Sequence, residues 1–375
     1  MEEIKMVDLY NQYLEIKQEI DEAILSVIQK TSFVKGSEVT DFEKQLAEYL
    51  LVKNVIACGN GTDALQIALM ALNLKPGDEI ITTTFTFIAT AEVIALLGLK
   101  PVLVDIDPHT FLIDVNQINA KITAKTKAII PVHLFGQCAD MESIMAIAQQ
   151  HNLYVIEDVA QALGCEYYFS NGKKAKAGTI GHIGCTSFFP SKNLGCFGDG
   201  GALYTHDDNL AALIRSIANH GMTQRYYHDH IGVNSRLDSI QAAILSVKLK
   251  KLDQYHQKRQ QAANYYDREL KSLSWLKIPK RVSHSNHIFH QYSILLKEGL
   301  RDSFKEYMQE KNIPTMIYYP VPIHLQKAYE KFNFNTSDFK NATFVSQNII
   351  SLPMHTELST EQLLYICQTI KDFKA

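Results

Sequence analysis

The chain has 375 residues, 46% hydrophobic and 21% charged, with 37 lysines and arginines against 40 aspartates and glutamates, a net charge of −3. That is the balance of an ordinary globular protein of about two domains at roughly 150 residues each. It lacks the basic excess of a nucleic-acid or membrane-surface protein, and no run reaches the roughly 20 apolar residues of a membrane span.

The acidic start, MEEIKMVDLY, has no basic flank before an apolar core and reads as no secretory leader. Residues 1–35 read as an N-terminal arm, 36–250 as a large α/β domain and 251–375 as a smaller α+β domain. From about residue 54 to 205, short apolar runs alternate with helical stretches. The runs Glu79–Thr84, Pro101–Asp105, Ala128–Val132 and Tyr154–Glu157 are uniformly apolar, as in strands covered on both faces. Between them, Thr86–Leu97 and Met141–Gln150 read as helices, so the pattern predicts βαβ units in a mostly parallel sheet. Beyond residue 235, Leu237 to about Leu270 is a long amphipathic run. Phe289–Leu296 then reads as a strand and Leu300–Lys311 as a helix. The six cysteines are scattered without a CxxC pair, which predicts buried thiols, a reducing cytoplasm and no metal site.

Four stretches carry chemistry. Cys58–Leu65 (CGNGTDAL) opens a helix with small residues, so its free N–H groups suit a phosphate, and the Thr62 hydroxyl adds a further bond. Read alone, it fits an ordinary capped helix equally well. In Val155–Gly164 (VIEDVAQALG), an apolar strand ends in two acids where ligands of open α/β sheets sit. Asp158 there suits a protonated ring nitrogen, with Gln161 bonding nearby; a helix N-cap is the alternative. In Thr186–Gly195 (TSFFPSKNLG), running into FGDGGA, one lysine stands among apolar and small neighbours, where desolvation makes an amine nucleophilic. Most lysines are merely solvated. In Ile231–Asp238 (IGVNSRLD), Asn234 and Arg236 share one side of an extended loop, unless Arg236 simply pairs with Asp238 at a helix start.

A phosphate loop, a strand-end aspartate and a sheltered lysine form the set that pyridoxal phosphate needs. At these residues the chain resembles the sugar-nucleotide aminotransferases of the DegT/DnrJ/StrS type. The match runs from VDLYNQY to SLPMH, and IEDVAQALG followed by FFPSKNLGCFGDGGA is specific to that family. The resemblance implies aminotransferase fold type I, with a mostly parallel central sheet, flanking helices and a smaller C-terminal α+β domain. It implies that Lys192 is the Schiff-base lysine, that Asp158 holds the pyridinium nitrogen and that Gln161 holds the ring hydroxyl. Gly61, Thr62 and Ser187 would bind the phosphate, Asn234 would complete that site from the neighbouring subunit of a homodimer, and Phe87 would stack on the ring. The motif YPVPIH resembles the family's substrate loop, which makes Tyr319 and His324 candidates there, and Arg236 is the candidate for a sugar carboxylate or diphosphate.

In related dehydratases the lysine is a histidine; its presence here favours transamination. NGTDALQ, FTFIATAE, HGMTQRYYHDHIGVNSRLD and SLPMH look most like the WbpE-like branch. Those enzymes aminate UDP-2-acetamido-2-deoxy-3-keto-glucuronate for surface-polysaccharide (O-antigen) synthesis. One departure stands out: Tyr318-Tyr319-Pro320 where that branch has His-Tyr-Pro, so residue 318 bears on whether the sugar carries a C6 carboxylate. The expected partners are a UDP- or dTDP-linked keto sugar and L-glutamate/2-oxoglutarate. The rivals are the same reaction on a dTDP-3-keto-6-deoxyhexose or UDP-3-keto-N-acetylglucosamine, and a cofactor-binding regulatory protein without catalysis. A nicotinamide-dependent dehydrogenase is disfavoured because no G-x-G-x-x-G follows a strand.

Overall fold

A computed structural model describes residues 2–375. Seven strands form the central sheet, in the order Asn54–Cys58, Gly201–Thr205, Ile183–Ser187, Tyr154–Asp158, Thr126–Ile130, Glu79–Thr83, Lys100–Val104. Gly201–Thr205 runs against both its neighbours, and the other six strands are parallel to one another.

Successive strand residues point to opposite faces, and both faces are covered, which is why these runs are apolar throughout. Ile56, Ile80, Ile130, Ile156 and Leu203 meet the helices Gly61–Ala71, Ala89–Leu96 and Asp208–Ile217. Val55, Ile81, Ile129, Val155 and Tyr204 meet Ser37–Leu50, Met141–His151 and Ser239–Leu249 on the other face.

Two expectations are corrected. The run from Leu237 to Leu270 is two helices, Ser239–Leu249 and Leu252–Leu270, joined at a turn that the Lys251 N–H closes on the Lys248 carbonyl. The first is buried on nearly every side, whereas the second buries a single stripe including Tyr255, Arg259, Tyr266 and Leu270. One straight rod does not satisfy both. Phe289–Leu296 is a strand only over Tyr292–Leu296. Phe289 is left-handed, with φ 48°, and the carbonyls of Phe289 and His290 turn away to accept from the Arg259 guanidinium.

Tyr292–Leu296 is the middle strand of a second, antiparallel sheet, between Leu276–Lys277 and Ile349–Leu352. The helices Arg301–Glu310 and Thr360–Asp372 pack on its core, and so does Ile4 from the chain's start. The Gln12 side chain donates to Thr356, while Ile20 of the helix Lys17–Lys30 packs on Ile244 and Val247. All six cysteines are buried and unpaired. Among the described residues, no helix is long and apolar enough to cross a membrane.

Candidate functional site

The parallel strands all finish on one edge of the sheet, the edge at which open α/β folds bind ligands. Asn54–Cys58 ends in the loop to Gly61, and Tyr154–Asp158 ends in the two acids. Ile183–Ser187 ends five residues before Lys192.

The neighbouring acids point to opposite faces and do different work. Glu157 accepts four donors: the N–H groups of Gly178, Ile180 and Gly181, at 2.6 to 2.8 Å, and His133 Nε2 at 2.8 Å. The Ala139 N–H donates to His133 Nδ1, so the imidazole proton sits on Nε2. Glu157 therefore ties the loop at residues 178–181 to the strand.

Asp158 is also buried, but its partners are few. Thr90 Oγ1 donates to Oδ2 at 2.8 Å, and the Ala160 N–H reaches Oδ1 at 3.2 Å. Burial pushes its carboxyl above the ordinary range, while these two donors and the charge of Lys192 pull it back. Among the described residues no ammonium or guanidinium forms an ion pair with it. Just beyond Asp158 the chain makes a turn at residues 160–164 rather than a capped helix.

In that turn, the Phe135 N–H donates to Gln161 Oε1 at 2.7 Å, which turns the amide NH2 outward to donate to the Tyr319 hydroxyl at 2.9 Å. Tyr319 meets Phe85 edge-on at 5.9 Å, and its ring lies 6.3 Å from that of Phe87, which is 55% exposed. Lys192 is half-buried, and burial brings its amine down to about 8 against the opposing pull of Asp158. Such an amine is roughly a fifth neutral near physiological pH, against about a thousandth for an ordinary lysine, and the neutral form is the nucleophile.

At the head of Gly61–Ala71, Asn60 is the cap, its side chain accepting the Asp63 N–H at 2.8 Å, so the Thr62 hydroxyl is not used for capping. A Cβ on Gly61 would lie 2.7 Å from the Cβ of Ser187. Glycine thus keeps a cradle open between the helix's free N–H groups and the Ser187 hydroxyl.

Asn234 and Arg236 flank Ser235, which points inward, accepting the Gly59 N–H at 2.8 Å and donating to Asp63 Oδ2 at 2.6 Å. Asn234 and Arg236 are exposed, and among the described residues Arg236 makes no ion pair, with Asp238 or any other acid. Tyr318 is half-buried edge-on to Tyr319, at 6.0 Å.

His324 lies behind this wall. Its Nδ1 is 2.8 Å from Thr84 Oγ1, its Nε2 is 3.3 Å from Thr343 Oγ1, and its ring stacks on Phe339. Both nitrogens are spent inside the protein, so it shapes the loop and has none left for a sugar.

Gly61, Thr62, Phe87, Asp158, Gln161, Ser187, Lys192 and Tyr319 are thus gathered on one edge, and Asn234, Arg236 and Tyr318 lie on exposed or half-buried loops around it. Sequence reasoning missed Thr90, Phe135 and Ser235, whose roles arise from chain segments far apart in sequence.

The donor set fits pyridoxal phosphate. An amine of lowered pKa suits an aldehyde, a buried carboxylate without an ion pair suits a ring cation, and the Gly61 cradle suits a phosphate. Comparison with known proteins agrees. The profile of the DegT/DnrJ/EryC1/StrS aminotransferase family matches residues 14–371. The chain is 46% identical over 372 residues to a pleiotropic regulatory protein of Geobacillus stearothermophilus, covering 99% of this chain and 98% of that one. It is 45% identical over 369 residues to the UDP-2-acetamido-2-deoxy-3-oxo-D-glucuronate aminotransferase of Pseudomonas aeruginosa, covering 98% and 99%. Among solved structures, S. venezuelae DesV in complex with a ketimine intermediate superposes with a TM-score of 0.94 at 34% identity, over 99% of this chain and 98% of that one. The chain therefore belongs to the DegT/DnrJ/EryC1/StrS family of pyridoxal-phosphate-dependent sugar aminotransferases.

Proposed function

We infer that this enzyme moves an amino group from L-glutamate to the 3-keto position of UDP-2-acetamido-2-deoxy-3-keto-glucuronate, a step in surface-polysaccharide (O-antigen) synthesis in the cytoplasm. The bound cofactor supplies an aldehyde that condenses with amines and a ring that takes up electrons. The chain's residues do the rest. Asp158 keeps the ring nitrogen protonated, and Gln161 and Phe87 orient the ring. Lys192 Nζ takes the proton from the donor's α-carbon and later serves in the reverse sense.

The outward pair Asn234 and Arg236 supports a homodimer with shared sites. Their common neighbour Ser235 is anchored on the Gly59–Asp63 loop of the same chain, so both side chains face whatever lies outside it. Arg236 offers a guanidinium fork to a carboxylate or diphosphate of the sugar nucleotide. Whole-length likeness to the Pseudomonas glucuronate enzyme supports the choice of sugar. The observation that carries catalysis, rather than a purely regulatory role, is the presence at one sheet edge of both Lys192, its amine lowered to about 8, and the buried carboxylate of Asp158. A second reading, UDP-3-keto-N-acetylglucosamine, is favoured by Tyr318, a neutral phenol where the resemblance to the glucuronate branch leads one to expect histidine, and by 42% identity over 98% of the chain to a UDP-N-acetyl-3-dehydro-alpha-D-glucosamine 3-aminotransferase.

Borohydride reduction followed by peptide mapping should tag Lys192, and Lys192→Ala should lose turnover while still binding the cofactor. Both ketosugars and a dTDP-3-keto-6-deoxyhexose, assayed side by side with glutamate, should show the glucuronate aminated fastest. Faster amination of either competitor overturns the substrate, and a tag elsewhere overturns the mechanism.

A further inference from the structure

Lys248 lies on the buried helix Ser239–Leu249 and is only 2% exposed. Its neighbours along that helix include Ala242, Ala243, Ile244, Leu245, Val247 and Leu249, all buried. An ammonium in such company carries a desolvation cost that a leucine or methionine would not. Among the described residues no carboxylate pairs with it. Its Nζ donates instead to the Gly195 carbonyl at 2.5 Å and lies 5.5 Å from the centroid of the Phe197 ring. Burial brings this amine, too, down to about 8.

Gly195 belongs to the loop that carries Lys192. That loop folds on itself: the Lys192 N–H donates to the Phe189 carbonyl and the Cys196 N–H to that of Phe188, each at 2.8 Å. It is too tight at residue 195 for any side chain, since a Cβ there would lie 2.2 Å from the Pro190 carbonyl oxygen. The same helix grips the loop a second time, for Gln241 Oε1 accepts the Phe197 N–H at 2.8 Å. Gln241 and Lys248 are seven residues apart, two turns along one helix face.

We propose that Lys248 is a positioning residue for Lys192, its buried ammonium and the Gln241 amide clamping the loop on which the reactive amine stands. The proposal rests on the aminotransferase reading given above. A displacement of about 1 Å in a reacting group costs about a hundredfold in rate, so a rigid support for Lys192 has kinetic value. The clamp uses a charge held against a backbone dipole, which fixes the loop without restricting the side chain at 192.

The test compares wild type with Lys248→Met, which keeps the apolar stem and removes the donor. Amide hydrogen exchange on the cofactor-free protein and steady-state kinetics on the loaded enzyme are both read. Exchange at Lys192, Cys196 and Phe197 should quicken by about tenfold or more, with the amides of Tyr154–Asp158 unchanged. The kcat should fall by roughly ten- to a hundredfold with the donor KM unmoved. Gln241→Ala, which frees the Phe197 N–H without touching the buried ammonium, should show the same signature more weakly, and it decides the matter if the methionine variant does not fold. Wild-type exchange, a loosened loop with wild-type kcat, or faster exchange throughout the sheet overturns the proposal. Failure of wild type to take a borohydride tag at Lys192 would instead sink the aminotransferase reading, and the exchange measurement would still judge the clamp.

Discussion

Asp158 takes the Thr90 hydroxyl on one oxygen and the Ala160 amide on the other, so two donors hold an anion that burial disfavours. A hydrogen bond to a charged group is worth about 1.5 to 3 kcal/mol. Thr90→Val keeps the shape and deletes the donor, and should lower kcat/KM by roughly ten- to a hundredfold; an unchanged kcat/KM would show that Thr90 is not needed. Asp158 and Lys192 were legible in the sequence because each lies in a short motif whose chemistry is local. Thr90 was not, because it stands 68 residues from Asp158 and only the adjacency of two helix and strand ends brings it there. The same limit made His324 look like a substrate residue. Its partners Thr84 and Thr343 come from distant segments, and nothing near residue 324 announces them.

The turn between Cys58 and the helix Gly61–Ala71 joins local and tertiary demands. Asn60 supplies the cap, and Gly61 supplies the absence of a side chain against Ser187. Gly61→Ala would drive a methyl into the cradle, 2.7 Å from the Ser187 Cβ, and strand Ile183–Ser187 is held on both sides and has little room to yield. The expected outcome is a loss of at least about tenfold in cofactor affinity, titrated by absorbance, with far-ultraviolet dichroism unchanged. Equal affinity would show that the cradle has slack. The βαβ reading of residues 54 to 205 succeeded because a strand buried on both faces must be apolar at every position, a pattern visible without knowing the partner. The break at Lys250–Lys251 was not visible, since no proline or glycine marks it and the cause lies in what each helix packs against. Phe289 likewise left the strand for a partner, the Arg259 guanidinium, supplied from 30 residues away.

Among the described residues, burial holds six histidines neutral: His256 and His287 at about 3, His324 and His355 at about 4, and His182 and His290 below the ordinary value. Each has its folded pKa below the ordinary 6.5, so in mild acid the unfolded chain binds more protons than the folded one. Their stabilising effect is complete above about pH 6.5 and is lost as pH falls toward 4, at about 1.4 kcal/mol per pH unit for each histidine involved. Urea unfolding midpoints should therefore drop steadily between about pH 7 and about pH 5; a flat profile would mean these imidazoles gain protons without cost. Three wholly or partly buried carboxyls, Glu43, Asp158 and Glu357, oppose this trend, because burial raises them in the folded state and they take up protons there sooner than in the unfolded chain.

Ile4 has a consequence for anyone handling the protein. It is a buried member of the hydrophobic cluster that also holds Tyr292, Ile350 and Ile366. The opening residues are thus a wedge in masonry laid down some three hundred positions later. Trimming the front of the polypeptide as though it were packaging would open a seam at the back, and a nascent chain cannot close that seam until its last helix has been made.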